Sequence, residues 1–175
     1  PTPFGDYAIE YSDENMMARY LRHISESGKF TRLDLAIDDK GYNYYSVNDV
    51  REICDSDRCM NRFRKYRAEY ERSFHGTVTG NTLYFGNRQS NTFLRIYDKR
   101  LEQIQKTKKD CGFEWVRWEL ELKKDRANMV VDYLLSGKPL GSVAIGILSN
   151  YFRVVVKNNN NITRCDTDPL WERFI

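Results

Sequence analysis

The chain has 175 residues, 41% hydrophobic and 30% charged, enough for one ordinary domain with its own core and a well-solvated surface. No apolar run approaches the ~20 residues of a membrane-spanning helix and no leader-like segment opens the chain, so a cytoplasmic domain without membrane partners is expected. A net charge of +3, from 28 basic and 25 acidic residues, is too mild to argue for nucleic acid by itself, so the distribution of charge matters more than its sum.

The chain opens on Pro1 rather than Met, and a domain excised from a longer protein is expected. Residues 1–175 read as one domain, without repeat or internal boundary. Tyr7, Ile9 and Tyr11 alternate and predict an opening strand. From Ser12 to Ser27, Met16, Met17, Tyr20, Leu21 and Ile24 fall at helical spacing, with Gly28 as the stop. Between Phe30 and Asp38, Leu33, Leu35 and Ile37 alternate with polar or small residues, which predicts a strand ended by the turn Asp39-Lys40-Gly41. Ser46 and Asp49 form a capping-box pattern for a helix through Cys54.

Residues 57–80 mix aromatic and basic residues in a pattern that suits helix or strand. Thr82 to Phe85 and Thr92 to Tyr97 then predict a hairpin around the loop Gly86 to Asn91. Lys99 to Lys109 reads as a polar helix with Gly112 beyond its end, and Glu114 to Lys123 as a further strand. Two helices follow, over Ala127 to Leu135 and Ser142 to Phe152, and Asn158 to Asn161 is a loop. Strands joined by hairpins and helices predict an α+β fold, a central antiparallel sheet with helices packed mainly on one face.

Two basic clusters interrupt this pattern. Arg58, Arg62, Arg64, Lys65 and Arg67 surround Phe63 and Tyr66, and Arg95, Lys99, Arg100, Lys106, Lys108 and Lys109 follow. Either cluster suits a solvated face as well as a phosphate backbone. The four cysteines, Cys54, Cys59, Cys111 and Cys165, lack zinc-site spacing and read as free thiols in a reducing compartment. With only two histidines, His23 and His75, any hydrolytic or nicking chemistry must rest on carboxylates, Tyr or Lys.

Strand parity gathers such residues. The leucines of each strand face the core, so Asp34 shares the other face with Arg32, Glu119 and Glu121 with Arg117, and Tyr97 with Arg95. If the strands are neighbours, Asp34, Glu119 and Glu121 repel one another by a few kcal/mol per close pair at an effective dielectric near ~20. A divalent cation removes that penalty, and an all-oxygen ligand set suits Mg²⁺ or Mn²⁺. Glu119 and Glu121 lie about 6.6 Å apart along a strand, whereas Asp34 and Asp38 lie about 13 Å apart, too far to share one ion unless the strand bends. The alternative is a solvated face with cross-strand Arg–Glu pairs. A Tyr beside a divalent cation can attack a phosphodiester, but 12 tyrosines leave the choice among them open.

Three segments in order, Thr31-Arg-Leu-Asp-Leu-Ala-Ile-Asp-Asp39, Thr82-Leu-Tyr-Phe-Gly-Asn-Arg-Gln-Ser90 running into Leu94-Arg-Ile-Tyr-Asp-Lys99, and Arg117-Trp-Glu-Leu-Glu-Leu-Lys123, resemble the replication initiation factor family (Rep_trans). That family holds initiators of bacterial rolling-circle plasmids and relaxases of certain conjugative elements. The closing Trp171-Glu-Arg-Phe174 is similar to its tail. The resemblance implies a fold related in architecture to rolling-circle nicking endonuclease domains, and metal-dependent nicking of an origin in single-stranded or cruciform DNA. The products are a 5′-phosphotyrosine and a free 3′-OH. By motif position Tyr97 is the implied nucleophile, and Asp34 and Glu119 the implied metal ligands, with Glu121 added by geometry. Arg95, Lys99 and Arg117 would then hold the scissile phosphate, and Arg88 would touch the strand. Arg62, Arg64 and Lys65 would follow a single-stranded backbone while aromatics stack bases. Two rivals remain open: a sheet that binds single strands without cutting, and a nuclease in which water attacks without a covalent intermediate.

Overall fold

A computed structural model describes residues 14–175; the strand expected over Tyr7 to Tyr11 lies outside them. Helix α1 (Glu14–Ser27) leads into strand β1 (Arg32–Lys40). Helix α2 (Val47–Asp55) begins with the expected capping box, Ser46 accepting from the Asp49 amide and the Asp49 carboxylate accepting from the Ser46 amide. Three strands occupy the stretch that the sequence left ambiguous and the segment after it: β2 (Cys59–Asn61), β3 (Tyr66–Arg72) and β4 (Val78–Phe85). β4 begins four residues before the expected Thr82. Its hairpin with β3 closes through Gly76, whose φ of 82° is open to glycine at little steric cost.

Strand β5 (Thr92–Asp98) runs into α3 (Lys99–Thr107). The Asp98 side chain caps the first turn, and Lys108 ends the helix in the left-handed conformation at φ 57°. Strand β6 (Trp115–Lys123) follows, then α4 (Asp125–Leu135) and α5 (Leu140–Tyr151). Phe152, expected to end a helix, instead opens strand β7 (Phe152–Val154), which pairs with β2. A 3-10 turn, Ile162–Arg164, and helix α6 (Pro169–Phe174) complete the described chain.

Five strands form one antiparallel sheet in the order β1-β6-β5-β4-β3. Its apolar face carries Leu35, Leu83, Phe85, Leu94, Ile96, Trp118, Leu120 and Leu122. Against it pack Leu21 of α1, Val50 of α2, Val130 of α4, Leu148 of α5 and Trp171 of α6. The helices therefore cover mainly one face, as the alternation required. Trp118 and Trp171 meet edge-on at 5.5 Å between ring centroids, and both are essentially fully buried. Truncating such an aromatic costs about 3–5 kcal/mol, so the family-like tail residue Trp171 closes the core. No helix among the described residues is long and apolar enough to cross a membrane.

Candidate functional site

β5 positions the centre of the site. Leu94 and Ile96 are fully buried in the core, and alternation turns Arg95 and Tyr97 to the opposite face. Cross-strand register then builds a grid there. Arg67, Tyr84, Arg95, Glu119 and Ala36 form one row, and Glu69, Thr82, Tyr97, Arg117 and Asp38 the next. Phe93, Glu121 and Asp34 lie in a third. The expected convergence of Asp34, Glu119, Glu121 and Tyr97 on one face is what this register produces.

The Tyr97 hydroxyl donates to Glu119 Oε2 at 3.1 Å, and Arg95 donates to Glu119 Oε1. The Arg95 guanidinium stands 5.2 Å from the Tyr97 ring centroid and Lys99 Nζ 5.7 Å from it. Lys99 is nearly buried and paired with Glu102. Opposite Tyr97, Arg117 places its fork on Asp38 at 2.7 and 2.8 Å, and Trp115 Nε1 donates to the same carboxylate at 2.9 Å. Asp38 is thus the anchor of Arg117. Sequence spacing set it aside as a partner for Asp34 without revealing this role, because the β1–β6 register was not known.

These contacts set the ionisation of the phenol. Despite the cationic neighbours, burial, followed by the charges of Glu119 and Glu102, holds Tyr97 well above its usual pKa, and the opposing influence of Arg117 is smaller. Arg95 and Lys99 are close, but Glu119 and Glu102 largely neutralise them. Asp38 goes the other way. Burial is the largest influence and would raise its pKa, but the hydrogen bonds from Arg117 and Trp115, together with the charges of Arg117 and Lys40, turn the net shift downward.

The three expected metal ligands share a face without enclosing a site. Asp34 and Glu121 both pair with Arg32, at 2.5 and 3.0 Å, Glu121 also with Lys123 at 2.7 Å, and Glu119 with Arg95. Among the described residues no group of three His, Cys, Asp or Glu side chains could hold a metal ion. The set suits Mg²⁺ or Mn²⁺ in donor type, but each carboxylate already engages a cationic side chain. The four cysteines are free, with Cys54 and Cys59 Sγ atoms 3.8 Å apart.

The remaining basic residues do not join Tyr97. Arg88 is exposed in the β4–β5 loop, at the opposite end of β5, roughly 17 Å along the strand. Arg62, Arg64 and Lys65 are exposed between β2 and β3, at that same end, where the Lys65 carbonyl accepts from the Gly86 amide and the Arg88 carbonyl accepts from Lys123. The Arg58 to Arg67 stretch is therefore not one surface, since Arg67 alone lies on the polar sheet face, 4.9 Å from the Tyr84 ring centroid. Tyr84 and Glu69 were not singled out in the sequence. Pairing of β4 with β5 sets Tyr84 opposite Arg95, and pairing of β3 with β4 adds Glu69 to the row of Tyr97.

Comparison with known proteins places the fold in a family. A Bacillus subtilis (strain 168) protein named "Putative DNA relaxase NicK" is 38% identical over 160 residues, 87% of this chain and 44% of its own length. A Staphylococcus aureus replication initiation protein is 34% identical over 112 residues, 62% of this chain and 29% of its own. The chain thus spans less than half the length of these curated relatives. The solved structure of a rolling circle replication initiator protein from Geobacillus stearothermophilus superposes with a TM-score of 0.71 at 31% identity, covering 82% of this chain and 54% of that one. The family described as replication initiation factor, Rep_trans, matches residues 28–175, and the chain belongs to that family.

Proposed function

We propose that this domain nicks and rejoins one strand of DNA at an origin, with Tyr97 as nucleophile, to start rolling-circle replication or conjugative transfer. The relatives' names support the reaction class, and one observation supports the residue: the Tyr97 hydroxyl donates to the buried Glu119 carboxylate, which Arg95 also engages, while Arg117 stands opposite Tyr97 on the next strand. A phosphodiester seated against Arg95 and Arg117 would meet this hydroxyl. Tyr97 Oη bonds to phosphorus, its proton passes to Glu119, and the bond from phosphorus to the 3′ oxygen breaks. That oxygen takes a proton from solvent and leaves as a 3′-OH, while the 5′ end stays on Tyr97. Rejoining runs the same exchange backwards. A general base in contact is what a phenol held above its usual pKa requires.

Mg²⁺ or Mn²⁺, with Asp34, Glu119 and Glu121 as oxygen donors, is part of this proposal, and when bound it would polarise the scissile phosphoryl group. A DNA phosphate competes with these carboxylates for Arg32 and Arg95, which gives a physical route to freeing them. The burial of Tyr97, 8% exposed, favours a second reading, in which water attacks and Tyr97 only orients Glu119. Incubating the protein with single-stranded origin DNA and metal separates the two. A covalent adduct on the Tyr97 peptide supports the first, and cleavage without adduct the second.

A further inference from the structure

Beside Tyr97, where the β3–β4 hairpin meets α3, the sheet face opens into a cleft of about 170 Å³. That is below the ~300 Å³ at which pockets take a whole drug-sized ligand, and it suits a single planar ring system. Arg95 and Tyr97 stand at one side of it and Gln105 of α3 at another.

The lining selects what can enter. Glu69, Glu71, Asp98 and Glu102 line the cleft against the single cation Arg95. Glu69 pairs with Arg67, and Glu102 with Lys99 and Lys106, but Glu71 takes part in none of the ion pairs among the described residues. A phosphate would be repelled here and kept on Arg95 and Arg117. Gln105 adds an amide to the lining: its Nε2 gives one hydrogen to the Thr79 carbonyl at 2.6 Å, and its side-chain oxygen remains an acceptor beside the carboxylates. Tyr84 walls the cleft, its ring stacked on Phe93 with centroids 6.0 Å apart. Gly80 makes room for the free carboxylate, since a Cβ there would come within 3.0 Å of Glu71 Oε2.

We propose that this cleft receives one nucleobase adjacent to the scissile phosphate and prefers a base with an exocyclic amine over thymine. The proposal rests on the DNA-nicking reading of Tyr97 and deepens it. Cytosine and adenine each present an exocyclic amino group to acceptors such as Glu71, at the edge where thymine presents O4. Backbone phosphates stay on the arginines and the base turns inward, so one short stretch of strand satisfies both halves of the site.

Fluorescence anisotropy with labelled single-stranded octamers of deoxycytidine, deoxyadenosine and thymidine tests this. The wild-type protein should bind the first two about fivefold or more tightly than the thymidine octamer. Glu71→Gln, an exposed edge-strand change of the same size, should bring that ratio close to one without weakening thymidine binding. Gly80→Ala, which displaces the same carboxylate, should act in the same direction. A ratio near one in the wild type, or a ratio unchanged by Glu71→Gln, overturns the base site and leaves nicking by Tyr97 standing. Failure of the wild type to bind any octamer overturns the DNA reading itself, and the base site with it.

Discussion

Tyr97 and Glu119 sit on neighbouring strands, and the hydroxyl of the first donates to Oε2 of the second at 3.1 Å. The residues are not directly opposite, because Glu119 pairs with Arg95 and Tyr97 with Arg117. The contact is a diagonal one, within reach of long side chains on one sheet face. It couples the proposed nucleophile to its proton acceptor, and the geometry makes that coupling measurable.

Replacing Tyr97 by Phe removes one oxygen and keeps the ring. The lost hydrogen bond should cost about 1 kcal/mol of stability, read as a small drop in Tm. DNA binding should persist, and the protein–DNA adduct should vanish from a denaturing gel. An adduct that survives in the variant, or a nucleotide mapped to Tyr84 or Tyr45, assigns the chemistry elsewhere.

The Tyr97 phenol should titrate above the ordinary value of 10. Because its folded pKa is raised, the associated stability is fully present below pH 10 and declines as pH rises toward the folded value. NMR titration of ¹³Cζ-labelled tyrosine, with Tyr97→Phe for assignment, reads it directly. Glu119→Gln removes the carboxylate charge and should bring the titration back toward 10, leaving the part caused by burial. No downward movement would mean that Glu119 does not govern this phenol.

Asp38→Asn should strip Arg117 of its charged partner. Two charge-assisted hydrogen bonds are involved and both side chains are 23% exposed, so a loss of about 1–3 kcal/mol is expected in denaturant unfolding. Asp38 titrates below its ordinary 3.8, so its contribution is present above that pH and fades as pH falls further. Wild type and variant should therefore converge in stability at low pH. A constant gap down to pH 2 contradicts this.

With single-stranded DNA bound, Mg²⁺ or Mn²⁺ should raise the Tm of the wild type, and the shift should disappear in Glu119→Gln and Glu121→Gln. Cys54→Ala with Cys59→Ala should leave it intact. Since Arg32 and Arg95 hold the same carboxylates, added single-stranded DNA should enlarge the metal shift. A shift lost with the thiols instead would place the metal elsewhere.

Arg62→Ala with Arg64→Ala should reduce the salt dependence of DNA binding by about one to two phosphate equivalents, similarly for unrelated sequences. The two side chains are exposed in the β2–β3 loop, at the end of the sheet that also carries Arg88. An unchanged slope returns this loop to a solvated surface.

The sequence alone determined which residues share a face. Leu33, Leu35 and Ile37, and likewise Val116, Trp118, Leu120 and Leu122, alternate strictly, and burial of one set leaves Asp34, Glu119 and Glu121 no other side to occupy. The capping box of α2 and the hairpin arms flanking Gly86 to Asn91 were legible for the same reason, because local chemistry decides them. Strand β3 was not, since at a sheet edge its residues are mostly exposed on both sides, and the alternation of Tyr66, Ala68 and Tyr70 with charged residues carries too little apolar contrast to separate strand from helix. β7 escaped because three residues carry too little pattern to oppose the apolar helix before them. Register across the sheet was decided only by the tertiary structure. It gave Arg117 to Asp38, Arg95 to Glu119, and a buried carboxylate to the Tyr97 hydroxyl. Periodicity places a side chain on a face, but its neighbour across the strand depends on how the loops and the packed core slide one strand along the next.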